Sequence, residues 1–151
     1  MSLTIRRAET ADAAKCGAIL YAAFQKVADQ HNFPPDFPSV EAATDVDRGA
    51  ELREAVNAQT AIVVEHLGGI TGFATGLGFF AHAVAETNQD LKSLIGAAPE
   101  FQGPGFLLPT RNHEVFAWCL DNRLKLVMQM TLMSIGLYNE PAGAWLPSIL
   151  F

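Results

Sequence analysis

Charged residues are scarce in this chain. They make up 17% of its 151 residues, against about 25% in an average globular domain. Basic residues are the rarer sign, since ten Lys and Arg stand against sixteen Asp and Glu and give a formal net charge of −6. Because proteins hold nucleic-acid phosphates with Lys and Arg, this balance argues against a nucleic-acid partner. Half of the residues are hydrophobic, so we expect a folded domain with apolar surface left for a second subunit, and hence a homodimer.

Cysteine is also rare. The two cysteines, Cys16 and Cys119, lie far apart in the sequence, which excludes a small disulfide scaffold. Neither belongs to a CxxC pair or a His/Cys cluster, so no metal site is predicted. Both fall in stretches with helical periodicity, where a cysteine usually behaves as a small buried hydrophobe.

Long apolar runs without glycine are missing as well. Residues 66–85 carry no formal charge and are long enough to span a bilayer, but five glycines interrupt them. Such a stretch favours short strands joined by turns over a membrane helix. The first nine residues contain two arginines and a glutamate, unlike a signal peptide. We therefore expect no membrane association and a cytoplasmic location.

The first third of the chain predicts a strand followed by helices. Residues 3–7 are β-branched and apolar, and Thr10 is positioned to cap a helix that runs to about residue 30. Three prolines between residues 31 and 39 predict a loop. A second, more polar helix is expected within residues 40–58.

The rest of the chain predicts a sheet with further helices. Strands are expected at residues 60–66, 70–76 and 79–86 as an antiparallel meander, and at 106–109 and 124–135. Helices are expected from Thr87 or Asn88 to about residue 97, and after residues 110–112. Residues 137–151 form an apolar C-terminal extension. The predicted fold is one α+β domain, residues 1–151, with a mixed, mostly antiparallel sheet flanked by helices on both faces.

Two stretches of the sequence resemble the GCN5-related N-acetyltransferases. Residues 5–13 (IRRAETADA) look like the family's first strand and helix start, and the predicted β-α-α-β-β-β-α-β-α-β order is similar. Residues 112–124 (NHEVFAWCLDNRL) are similar in spacing to a family segment near the C-terminus. Residues 70–150 look most like the degenerate second half of tandem acetyltransferase-like proteins. The resemblance implies an acyl-CoA N-acyltransferase-like fold, acetyl-CoA or another acyl-CoA as cofactor, and a small-molecule amine as substrate.

The sequence departs from this family at the cofactor loop. Family members carry Gln/Arg-x-x-Gly-x-Gly/Ala before a helix whose amides hold the pyrophosphate, whereas residues 87–89 here are Thr-Asn-Gln. The resemblance therefore assigns cofactor binding to the amides of Ala85, Thr87 and Asn88, with Asn112 near the cofactor arm. Cys119 occupies the position of the family's tyrosine acid; the alternative is a buried structural cysteine.

Two further side chains are candidates for the base that deprotonates the amine. His82 and Glu86 would share one face of a strand over residues 79–86, roughly 13 Å apart, so each would act alone or through water. The alternatives are a half-buried histidine and a solvated strand end.

Two functions remain open at this point. The first is an acyl-CoA-dependent N-acyltransferase with a non-standard cofactor site, and the second is a catalytically silent module that binds a small ligand or dimerises. The missing glycine loop favours the second, and the element order favours the first.

Overall fold

A five-stranded antiparallel sheet forms the centre of the protein, and its strands lie in the order in which they occur along the chain. The computed structural model describes residues 3–31, 37–45, 60–135 and 143–149. The strands are β1 (Leu3–Arg7), β2 (Ile62–His66), β3 (Gly69–Ala74), β4 (Ala83–Ala85) and β5 (Ala144–Leu146). Every named pair of neighbouring strands is antiparallel.

Helices cover both faces of this sheet. On one face α1 (Ala13–His31) and α2 (Val40–Asp45) pack on a cluster that includes Val63, Phe73 and Trp145. On the other face α3 (Asn88–Ala97) and α4 (His113–Asp121) pack on a second cluster. The α+β class and the helices on both faces are thus confirmed. Among the described helices, none is long and apolar enough to cross a membrane.

The start of α1 is fixed by an acidic side chain. Residues Thr10–Asp12 form a single 3-10 turn before the α-helix. The Asp12 carboxylate accepts a 2.7 Å hydrogen bond from the Glu9 backbone N–H and two, of 2.6 and 2.8 Å, from the Arg6 guanidinium. The prediction that Thr10 caps this helix was therefore wrong, because Asp12 binds both the turn and Arg6 of β1.

The β2–β3 hairpin agrees with its prediction, whereas the third predicted strand is shorter. Leu67 and Gly68 form the hairpin turn with φ of 54° and 80°. The strand predicted at residues 79–86 is reduced to Ala83–Ala85. Phe79 lies in a turn instead, where its backbone N–H donates to the Gln102 carbonyl at 2.9 Å.

Two predicted strands are absent from the part of the chain that the structure describes. Residues 106–109 are half-buried without strand pairing, and residues 124–135, which we call the arm, are exposed and belong to no ladder. The free edge of β4 is instead occupied by β5, which comes from the C-terminal extension. Much of the second predicted helix, residues 46–58, lies outside the described residues.

Candidate functional site

The junction between β4 and α3 holds most of the residues that the resemblance assigns to the cofactor. Thr87 caps α3, since its hydroxyl accepts a 3.1 Å hydrogen bond from the Asp90 backbone N–H and donates a 2.6 Å bond to the Asp90 carboxylate. Asp90 is buried. A carboxylate in the first turn of a helix is stabilised by the helix dipole. The start of α3 therefore holds a buried carboxyl group bound to its cap.

A polar network joins the start of α3 to the start of α4. The Asn112 side-chain amide donates to Asn88 Oδ1 at 2.9 Å, and Asn88 Nδ2 donates to Glu114 Oε2 at 2.8 Å. Lys92 Nζ donates to the other Glu114 oxygen at 2.6 Å. Hydrogen bonds from Lys92 and Asn88 lower the pKa of the Glu114 carboxyl, which is therefore ionised at neutral pH. We call Asn88, Lys92, Asn112 and Glu114 the α3–α4 network.

Three of the four assigned cofactor residues therefore lie at this junction, where they bind one another or their own helix. Thr87 and Asn88 surround the start of α3, and Asn112 caps α4 through a 3.4 Å bond from the Val115 N–H. Ala85 is buried within β4, paired with Gly72 and Ala144. A diphosphate brought to this junction would meet the ionised Glu114 carboxylate, and like charges repel.

The two candidate bases lie at opposite ends of β4. His82 precedes the strand, half-buried, with its ring edge-to-face against Phe73 at 6.1 Å. Glu86 follows the strand and is exposed, while its backbone N–H donates to the Thr71 carbonyl. Because the strand spans only Ala83–Ala85, the predicted placement of both residues within one strand was wrong. Their alternatives, a half-buried histidine and an exposed carboxylate at a strand end, describe where they lie.

Cys119 is buried on the inner side of α4. It belongs to the cluster between α3, α4 and the sheet. Burial raises the pKa of its thiol, an effect that the Lys92 ammonium partly offsets. A general acid works best when its pKa lies near the working pH. This thiol is therefore a poor proton donor, and its surroundings are those of a structural cysteine.

An apolar groove lies between α4, residues 101–109 and the arm. It has a volume of about 1230 Å³. Its walls include Phe101 and Phe106, whose rings meet at 5.0 Å, together with Phe116 and Trp145. Cys119 lies in its wall, whereas His82 and Glu86 do not. The groove can accept an apolar group, but it does not bring that group to either candidate base.

The sequence did not reveal this groove. It exists because the arm and residues 106–109 stay outside the sheet, and both were predicted as strands. Among the described residues, no three His, Cys, Asp or Glu side chains are arranged to hold a metal ion.

Comparison of the sequence with protein-family models and with curated proteins finds no match. Membership of the acetyltransferase family therefore stays a prediction.

Proposed function

We propose that this chain is a catalytically silent interaction module with an acetyltransferase-like arrangement of sheet and helices. The observation that carries the proposal is the closed start of α3. Thr87 and Asp90 satisfy one another there, and the α3–α4 network adds the Glu114 carboxylate. An acyl-CoA enzyme needs this place open to hold the cofactor's diphosphate by backbone N–H groups.

The catalytic candidates support the same proposal. The three candidates lie apart from one another. His82 precedes β4 and Glu86 follows it, whereas Cys119 packs into the core on the inner face of α4. General acid–base catalysis needs both groups within hydrogen-bond reach of one reacting centre. The groove meets only Cys119 among them.

An acyl-CoA-dependent N-acyltransferase is the competing function, and one observation favours it. Cys119, at the position of the family's acid, lies in the wall of an apolar groove that an acyl group could enter. In that case the cofactor's diphosphate would displace the α3–α4 network, and an amine would have to enter beside Glu86.

Calorimetric titration with acetyl-CoA separates the two functions. We expect no saturable heat for the silent module. One-to-one binding that Asn88→Asp abolishes would support the acyltransferase instead, because the substitution adds a negative charge at the start of α3. Lys15→Gln is the matched control, since it makes the same change of net charge at an exposed position of α1, on the opposite face of the sheet.

A further inference from the structure

The arm exposes an unusual amount of apolar surface. Residues 124–135 contain one charged residue, Lys125. Seven of their large apolar side chains are more than half exposed: Leu126, Val127, Met128, Met130, Leu132, Met133 and Ile135. A contiguous apolar patch of this kind usually marks an interaction surface.

The backbone of the arm also has few hydrogen bonds to the residues that the structure describes. The Leu124 N–H donates to the Cys119 carbonyl at 3.0 Å. Beyond it, no described residue forms a hydrogen bond with the backbone of residues 125–135. An extended segment with free N–H and C=O groups is a template for pairing with another strand. A partner that fits the arm must therefore provide both apolar side chains and a strand with which the backbone of the arm can pair.

The side chains of the arm alternate in character. The even-numbered positions are Leu124, Leu126, Met128, Met130, Leu132 and Ser134, and all six line the groove. Over residues 124–132 the odd-numbered positions are polar except for Val127, whereas Met133 and Ile135 at the end of the arm are apolar. Lys125, Val127, Gln129 and Thr131 line the groove as well. Alternation with a period of two is typical of a strand with one apolar face and one solvated face. The arm thus has the pattern of a strand without the ladder.

We propose that the arm pairs with the arm of a second copy of this chain as a two-stranded antiparallel ribbon. The inference rests on the proposed function, because it names the partner of the interaction module. Antiparallel pairing of a segment with itself satisfies twofold symmetry. In registers centred on Gln129 or Met130, even positions lie opposite even positions, so the five apolar even-numbered side chains of each arm share one face.

Charge favours self-pairing through this region. Each copy carries −6 overall, so two copies repel in most orientations. Residues 101–135 contain three basic residues and two acidic ones, so this segment does not share the negative net charge of the chain. Each Lys125 lies opposite an apolar residue, Met133 or Ile135, in the two registers. The ribbon therefore places no like charges directly across from each other.

The exposed area is sufficient for a stable pair. Seven large side chains that are each more than half exposed together present apolar surface on the order of the ~800 Å² that each partner buries in a standard interface. Four of them are at even positions, on the shared face of the ribbon, and three are at odd positions, on its opposite face. Twelve residues of strand span about 40 Å, which is longer than the strands of the central sheet. A second copy of the arm thus supplies both apolar surface and a strand edge of matching length.

The first test is the oligomeric state with a matched pair of variants. Sedimentation should show a dimer for the full chain, and Leu132→Asp should raise the dissociation constant about 100-fold or more, because a buried unpaired charge is costly in an interface. Leu67→Asp, an exposed leucine in the β2–β3 turn, should leave the dimer unchanged. A monomeric full chain, or a dimer indifferent to Leu132→Asp, would overturn the proposal.

The second test measures the hydrogen bonds between the two arms directly, and it uses the unmodified chain. In a two-stranded ribbon only alternate N–H groups face the partner. Residue-resolved amide exchange of the full chain should therefore show protection at every second residue of the arm, lost on dilution below the dissociation constant. Uniformly fast exchange in a dimer would overturn strand pairing.

The two proposals fail separately. A dimer built by the arms that also binds acetyl-CoA would refute the silent module alone. A monomer that gives no heat with acetyl-CoA would refute arm pairing alone.

Discussion

Burial makes the thiols of both cysteines less reactive than an exposed thiol. Burial raises the pKa of the Cys16 thiol to about 12 and also raises that of Cys119. The thiolate is the reactive form of cysteine. In the acetyltransferase resemblance Cys119 stands at the position of an acid, but the structure surrounds it with the core between α3 and α4.

We therefore expect neither thiol to react rapidly in the folded protein. Titration with an aromatic disulfide reagent at pH 7 should show slow modification, and two thiols should react at once in denaturant. The Cys16→Ala and Cys119→Ala variants identify each signal. A fast reaction in Cys16→Ala would reveal a reactive Cys119 and would reopen a catalytic role for it.

The Arg6–Asp12 ion pair makes stability depend on acid pH. Hydrogen bonds from Arg6 hold the pKa of the Asp12 carboxyl below its usual range, which is about 4 in an unfolded chain. The pair therefore stabilises the fold above about pH 4, and this contribution is lost as the pH falls through the lowered pKa. We expect the unfolding free energy to drop between pH 5 and pH 3.

Urea unfolding of Asp12→Asn at the two pH values checks this origin. The variant should be less stable at pH 5 by about 1–3 kcal/mol, because it weakens a charge-assisted hydrogen-bond network, and its drop toward pH 3 should be smaller. Glu86→Gln, an exposed carboxyl, should keep the full drop. An equal drop in Asp12→Asn and the native chain would assign the acid sensitivity to other groups.

At the scale of elements, two helical glycines have opposite surroundings. A Cβ at Gly17 of α1 would lie 3.0 Å from Thr44 Cβ and 3.2 Å from its Cα, so α1 and α2 could not keep their approach. A Cβ at Gly96 of α3 would meet no atom within 4 Å. Alanine is otherwise the better helix former by about 1 kcal/mol.

The same substitution should therefore have opposite effects. We expect Gly96→Ala to stabilise the protein by about 0.5–1 kcal/mol. Gly17→Ala should destabilise it by about 1–3 kcal/mol, as overpacking does. Chemical denaturation of the two variants measures both signs, and a stabilising Gly17→Ala would show that α2 does not pack closely on α1.

Elements whose signal is local could be predicted from the sequence. Thr87 caps α3, whose buried face is made by Leu91, Leu94 and Ile95 as predicted. The Leu67-Gly68 turn likewise determines the hairpin. The arm could not be predicted, because its alternating pattern is that of a strand, while strand pairing depends on which segment occupies the edge of β4. β5 occupies that edge, and the hydrophobic pattern of the arm contains no information about where β5 pairs.

At the scale of the whole molecule, the candidate site also combines local features that the sequence indicates with long-range contacts that it does not. Thr87 caps α3, and Asn88 in its first turn is hydrogen-bonded to Asn112 at the start of α4. What the sequence could not reveal is that Lys92 and Glu114, 22 residues apart in the chain and on two different helices, would complete the network. Contacts between distant segments decide whether the junction is open or closed.

The position of β5 has a consequence for the order of folding. The other sheet strands that follow β2 are joined by short connections, but β5 pairs with β4 only after a loop of about 60 residues, including α3, α4 and the arm, has closed. Relative to a four-residue hairpin, closing such a loop costs about 2 kcal/mol more in chain entropy. We expect β5 to join the sheet late. Until it does, the edge of β4 is free, and the nascent chain passes through a stage in which its own arm competes for that edge.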